Sequence, residues 1–144
     1  MLKKLYTSVP AEFAACIHPD CPQAASCLRH VAYQSLLEES PTFRVVNPGH
    51  CNPAGECRHF RSAKPVRYAR GFIGFQENMT PKQWCRFKSQ LLQMYGRSTF
   101  YMRRKGTVAL SPKEQSAILE ALHKAGITED FEFDAYVEAC NWFD

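Results

Sequence analysis

The chain has no run approaching the roughly 20 apolar residues that a membrane helix needs, so no spanning segment is expected. It has no P-loop, no G-x-G-x-x-G, no H-E-x-x-H and no G-x-S-x-G. The phosphate-cradling, zinc-protease and serine-hydrolase chemistries that rest on those motifs are therefore not indicated. Internal repeats and low-complexity tracts are missing as well. A secretion leader is not expected either: Thr7, Ser8, Pro10 and Glu12 interrupt the apolar stretch it would require after Lys3 and Lys4. The expected compartment is the cytoplasm, where thiols stay reduced and serve as ligands more often than as disulfides.

Carboxylates are the scarcest residue type where it matters most. From Arg58 to Lys105 there are 12 Lys and Arg residues against Glu77 alone, a local charge of +11. From Gly106 onward 2 lysines face 8 carboxylates, giving −6, and the whole chain comes to +4. A basic middle and an acidic end thus share 144 residues, about one domain's worth. With 45% hydrophobic residues and 12% aromatics, the composition is that of a folded protein. One domain is expected over 1–144, with a Cys/His-rich part at 1–60, a basic part at 61–110 and an acidic helical part at 111–144.

Five of the 7 cysteines stand in the first part, at Cys16, Cys21, Cys27, Cys51 and Cys57, interspersed with His18, His30, His50 and His59. Cys21 to Cys27 and Cys51 to Cys57 each enclose five residues, with Pro and small or polar residues suited to tight loops. Structural zinc takes four tetrahedral sulfur or nitrogen ligands from two such knuckles, and its binding energy becomes folding energy. Cys16, Cys21, Cys27 and Cys57 are the first choice of ligands, Cys51 the next, and the histidines follow. There are more candidates than places. Three clustered thiols and a remote one also suit an iron–sulfur cluster, and a small redox protein is one alternative. Cys85 and Cys140, each alone near the apolar side of an expected helix, read as core thiols.

The spacing C-x4-C-x5-C-x2-H from Cys16 to His30 resembles the CCCH zinc finger, a family of RNA readers, with its first and last gaps shorter than that family's pattern. That resemblance implies zinc and adds to an RNA-binding reading. The whole chain is also similar to an uncharacterised family of small bacterial proteins sharing a Cys-Pro-x-Ala-x-x-Cys-Leu-Arg segment, here Cys21 to Arg29. The same family shares an Arg-Tyr-Ala-Arg-Gly segment, here Arg67 to Gly71. This resemblance implies no activity.

Periodicity and capping signals predict an α+β fold with three to four helices and short strands. Helices are expected over Ser26 to Glu38, from Pro81 to Tyr95, from Pro112 to Gly126, and from Phe133 to Trp142. Thr80-Pro81-Lys82-Gln83 and Ser111-Pro112-Lys113-Glu114 are capping boxes with proline in the first turn. Short strands are expected at Phe43 to Val46 and irregularly over Pro65 to Phe75. Thr99 to Met102 and Thr107 to Leu110 read as a hairpin with Arg103, Arg104 and Lys105 at its tip.

Cations interleaved with Phe60, Tyr68, Phe72, Phe75, Phe100 and Tyr101 supply phosphate neutralisation and flat faces for bases. The function expected is a small zinc-stabilised, non-catalytic protein that binds RNA or single-stranded nucleic acid, with Arg67, Arg70, Arg103, Arg104 and Lys105 as contacts. A rival reading packs the acidic end onto the basic middle within the fold or across a homodimer, making a protein-interaction module. Glu56-Cys57-Arg58-His59 places a thiol near an imidazole, but the metal reading accounts for Cys57 better than a nucleophile does.

Overall fold

The computed structural model of the chain describes residues 8–50 and 57–143, which fall into two compact units. One is built from residues 66–139, the other from residues preceding Val66 together with 140–143. The fold is α+β, with four α-helices and one antiparallel strand pair among the described residues.

In the unit of residues 8–65 and 140–143, helix α1 spans Leu28–Glu39, close to its expected place, and a 3-10 turn at Ala24–Ser26 leads into it. Leu28 and Ala32 are buried with Phe13, Ala15 and Trp142, and the Phe13 and Trp142 rings meet edge to face at 5.0 Å. The strand expected at Phe43 to Val46 is reduced to one isolated parallel bridge between Val45 and Ala15. The short segment finds no ladder partner long enough to extend it.

The unit of residues 66–139 holds strand β1 (Val66–Arg70), helices α2 (Pro81–Tyr95), α3 (Arg97–Lys105) and α4 (Pro112–Lys124), and strand β2 (Ala135–Ala139). Both capping boxes close as expected. Thr80 Oγ1 accepts from the Gln83 amide at 3.2 Å while Gln83 Oε1 accepts from the Thr80 amide at 2.9 Å. Ser111 and Glu114 repeat the arrangement at 3.3 and 3.2 Å. Each box satisfies two amide donors that a helix start would otherwise leave unpaired.

Two expectations are corrected here. The segment 99–110 is not a hairpin: α3 runs through Lys105, and Gly106, with φ 80° and ψ 16°, ends it in the left-handed conformation. The glycine that could have turned a hairpin instead terminates a helix, and burial of Phe100 at 0% exposure overrides the strand preference of Thr99 to Tyr101. The last segment is not a helix. Ala135–Ala139 pairs antiparallel with Val66–Arg70, Tyr68 opposite Val137, and β1 bonds on its other side to Leu110 through Ala69 at 3.0 and 2.8 Å.

The core of this unit is aromatic. Phe72 packs against Phe75, Phe87 and Phe100 with ring centroids 5.6 to 6.0 Å apart. Tyr68, Phe72, Phe75 and Phe100, expected to offer flat faces to bases, are all 1% exposed or less. They are core residues.

Candidate nucleic-acid interface

Helices α2 and α3 contain no Asp or Glu, yet carry Lys82, Arg86, Lys88, Arg97, Arg103, Arg104 and Lys105. A single residue, Gly96 with φ 78°, joins the two helices, and its amide still bonds to the Leu92 carbonyl at 2.9 Å. The chain turns abruptly there and brings the flank of α3 beside α2.

Not all of these cations are available. Arg103 faces Glu114, with Nη2 and Nε at 2.8 and 3.1 Å from Oε1, and its guanidinium lies 4.3 Å from the centroid of Tyr95. Arg104 lies over Trp84 at 5.3 Å and donates from Nη2 to Gln76 Oε1 at 2.9 Å, while its Nε is buried with no acceptor. Arg67 stacks on Tyr136 at 3.6 Å and sits 3.7 Å from Glu132. Arg70 and Lys105 are exposed and, among the described residues, form no ion pair. The five basic residues picked out by sequence thus divide: Arg103 is engaged by Glu114, Arg67 stacks on Tyr136 beside an exposed Glu132, Arg104 is half-buried against Trp84, and Arg70 and Lys105 are open.

Tyr101 on α3 lies beside one of the cations of α2. Its phenol is held below the usual tyrosine range first by the nearby Lys88 ammonium, against burial, which raises it, and then by the charges of Arg97 and Arg104. The Lys88 ammonium lies 5.5 Å from the Tyr101 ring centroid. Among the described residues no carboxylate forms an ion pair with Lys88. Sequence reasoning missed Lys88 and Arg97, because a hairpin over 99–110 would have separated them from Arg104. The lack of acids from Pro81 to Lys105 was readable in the charge count, but it does not say which of these cations lie on one flank.

In the other unit, Cys16, Cys21, Cys27 and Cys57 are free thiols, Cys27 buried and the others half-buried; Cys51 lies outside the described residues. The Cys16 amide donates to the Arg29 carbonyl at 3.0 Å, which sets the first knuckle against the start of α1. Among the described residues no three His, Cys, Asp or Glu side chains gather into a metal-sized group. The same segment buries His18 Nδ1 and His30 Nδ1 without any hydrogen-bond partner. Cys85 is exposed on α2 rather than in the core, whereas Cys140 packs partly buried against the Phe13 cluster.

No described helix is long and apolar enough to cross a membrane. No match is found among curated proteins or among solved structures. The segments Cys21 to Arg29 and Arg67 to Gly71, similar to those of an uncharacterised family, lie within one continuous match: the chain belongs to the family of unknown function DUF6078, whose model covers residues 1–142.

Proposed function

We propose that the unit of residues 66–139 binds nucleic acid through its phosphates, on the flank shared by α2 and α3. The observation that carries this reading is the charge of the two helices: α2 and α3 hold seven Lys and Arg residues with no Asp or Glu, and among the described residues Lys88, Arg97 and Lys105 form no ion pair. Like charges held together lose free energy that a phosphodiester would recover, and phosphate neutralisation supplies most non-specific affinity for nucleic acids. The rival reading, in which the acidic end covers the basic middle, has limited support. Glu114 and Glu132 reach Arg103 and Arg67, but among the described residues no carboxylate pairs with Lys88, Arg97 or Lys105. The test is fluorescence anisotropy with a labelled DNA over a salt series. Lys88→Gln combined with Arg97→Gln and Lys105→Gln should weaken binding and flatten the slope of log affinity on log salt by about 0.7–0.9 for each phosphate no longer neutralised. An unchanged slope would remove this flank from the contact surface.

A zinc staple in the Cys/His segment is a second part of the proposal, favoured by one observation. Two buried imidazole nitrogens, on His18 and His30, have no partner, and the thiols of Cys16, Cys21 and Cys27 belong to the same stretch of chain. Buried polar atoms are normally satisfied, and a metal ion is one way to satisfy an imidazole nitrogen. In a reducing compartment the thiols would be ligands rather than disulfides. Elemental analysis with a visible spectrum separates zinc from an iron–sulfur cluster.

A further inference from the structure

We infer that the nucleic acid is duplex DNA and that α3 enters its major groove as the reading helix. This rests on the phosphate-binding reading above and goes beyond it by naming the form of nucleic acid and the side chains that meet the bases.

The helix α2, the one-residue turn at Gly96 and the short basic helix α3 form a helix–tight turn–helix unit, held from behind by α4 and β1. The DNA-binding helix-turn-helix, whose turn is about 3–4 residues against the single residue here, places its second helix in the major groove. Helix α3 is one-sided in the way such a role requires. Phe100 is fully buried and Arg103 turns back to Glu114, which fixes the inner side. Arg97, Ser98, Tyr101, Met102 and Lys105 recur at i, i+1, i+4, i+5 and i+8, one stripe of a 3.6-residue helix. All are exposed except Tyr101, which is half-buried. A helix with its side chains measures about 10–12 Å across and the major groove of B-DNA is about 12 Å wide, so the stripe fits it lengthwise. Lys88, beside Tyr101 on α2, would then stand at the groove edge where the phosphates run.

The alternatives fit less well. Single-strand binders stack bases on open aromatic rings. Here Trp84 lies under Arg104, Tyr95 under Arg103 and Tyr101 under Lys88. Double-stranded RNA has a deep, narrow major groove that a helix does not enter. Charge complementarity, a helix of groove width and capped rings point to the same occupant.

The test uses the full chain and three labelled probes of one mixed sequence: a DNA duplex about two helical turns long, its single strand, and the matching RNA duplex. The DNA duplex should bind about tenfold or more tightly than either other probe. Ser98→Ala with Met102→Ala removes no charge and no buried group. It should leave the salt slope unchanged while altering the sequences enriched from a randomised duplex pool. Lys88→Gln should do the reverse, reducing affinity and salt slope without altering the enriched sequences. Equal or tighter binding of the single strand or the RNA duplex overturns the groove assignment and leaves the phosphate-binding reading in place. So does an unchanged enriched sequence in the Ser98, Met102 variant. Failure of a folded protein, verified by circular dichroism, to bind any of the three probes at low salt overturns both.

Discussion

The guanidinium of Arg103 and the carboxylate of Glu114 meet at 2.8 Å, joining the last turn of α3 to the first turn of α4. Glu114 Oε2 simultaneously accepts from the Ser111 amide at 3.2 Å, so one side chain serves both the capping box and the interhelix pair. The pair is only partly exposed, at 18% and 26% of the side chains, which shields it from the solvent screening that weakens surface ion pairs. Arg103→Gln should destabilise the protein by about 1–3 kcal/mol, read as a fall in melting temperature. Nucleic-acid affinity per folded molecule should change less than in Lys105→Gln. A larger loss of affinity than of stability would return Arg103 to the contact surface.

A backbone crossing supports the same face from beneath. Gly71 and Gly106 both have positive φ, 79° and 80°, and their backbones touch: a Cβ on Gly106 would fall 3.2 Å from the Gly71 nitrogen. A Cβ on Gly71 would fall 2.8 Å from Asp134 Oδ2, while the Asp134 carboxylate accepts from the Ile73 and Gly74 amides at 2.7 and 3.0 Å. Gly106→Ala must therefore displace backbone as well as adopt a disfavoured conformation, and should cost about 1–3 kcal/mol or more. Asp134→Ala leaves two exposed amides to water in place of their acceptor and should cost about 0.5–1.5 kcal/mol for each bond lost. Thermal melting checks both. Amide exchange should quicken at Phe72, whose amide bonds to the Arg104 carbonyl at 3.0 Å beside this crossing.

Tyr101 and Tyr95 should titrate in opposite senses. The nearby Lys88 ammonium, against burial and with smaller help from Arg97 and Arg104, holds the Tyr101 phenol below about 10. Burial, then the Glu114 carboxylate, pushes Tyr95 up, against the lowering effect of Arg103. Because the folded state lowers the Tyr101 value, its contribution to stability is present above the unfolded pKa and disappears as pH falls through the folded one. Tyr95, raised by folding, contributes below about 10 and loses that contribution as pH rises through its folded value. Phenolate absorbance should therefore appear at Tyr101 before Tyr95, assigned with Tyr101→Phe and Tyr95→Phe. Lys88→Gln should move the Tyr101 transition upward, and so should bound DNA, whose phosphates oppose a second negative charge. A Tyr101 transition indifferent to Lys88 would contradict the geometry of the cluster.

How much of the fold is legible in the sequence depends on how local each signal is. The capping boxes at Thr80 and Ser111 are complete within four residues, and α2 begins and ends where Pro81 and Gly96 place its limits. Helix α3 is hidden because Thr99, Phe100 and Tyr101 prefer strands in isolation, and only burial of Phe100 among Phe72 and its neighbours settles the matter. Strand β2 is hidden for a related reason. Its partner β1 lies more than sixty residues earlier, and Ala135 to Ala139 alone carry no signal for that pairing. The candidate site follows the same pattern. The charge asymmetry is readable as a count, but which arginines are free depends on where Glu114, Glu132 and Trp84 fall in space. Arg67 and Arg103 meet carboxylates from the acidic third, while Lys88 and Arg97 become central only because α3 is a helix lying against α2.

The Cys/His segment yields the last prediction, which turns on His18 and His30. If zinc occupies this segment, protein purified without added metal should be colourless and contain about one zinc per chain. Chelation should then lower the stability of the unit of residues 8–65 and 140–143 more than that of residues 66–139, because metal binding to an unformed site is folding energy. Amide exchange read separately over α1 and over α2 distinguishes the two units. His30→Ala would remove a buried nitrogen that has no partner without metal. In a metal-free protein that change should be nearly neutral, apart from the loss of the ring packing against Tyr33 at 6.4 Å and of the long exposed contact between His30 Nε2 and Gln34 Nε2 at 3.5 Å. In a zinc protein that uses His30 it should release metal and lower the melting temperature of α1's unit, and Cys27→Ser should do the same from a buried position. Iron and sulfide in a brown protein would overturn zinc in favour of a cluster. Protein without metal, with His30→Ala and chelator both silent, would return the thiols to packing.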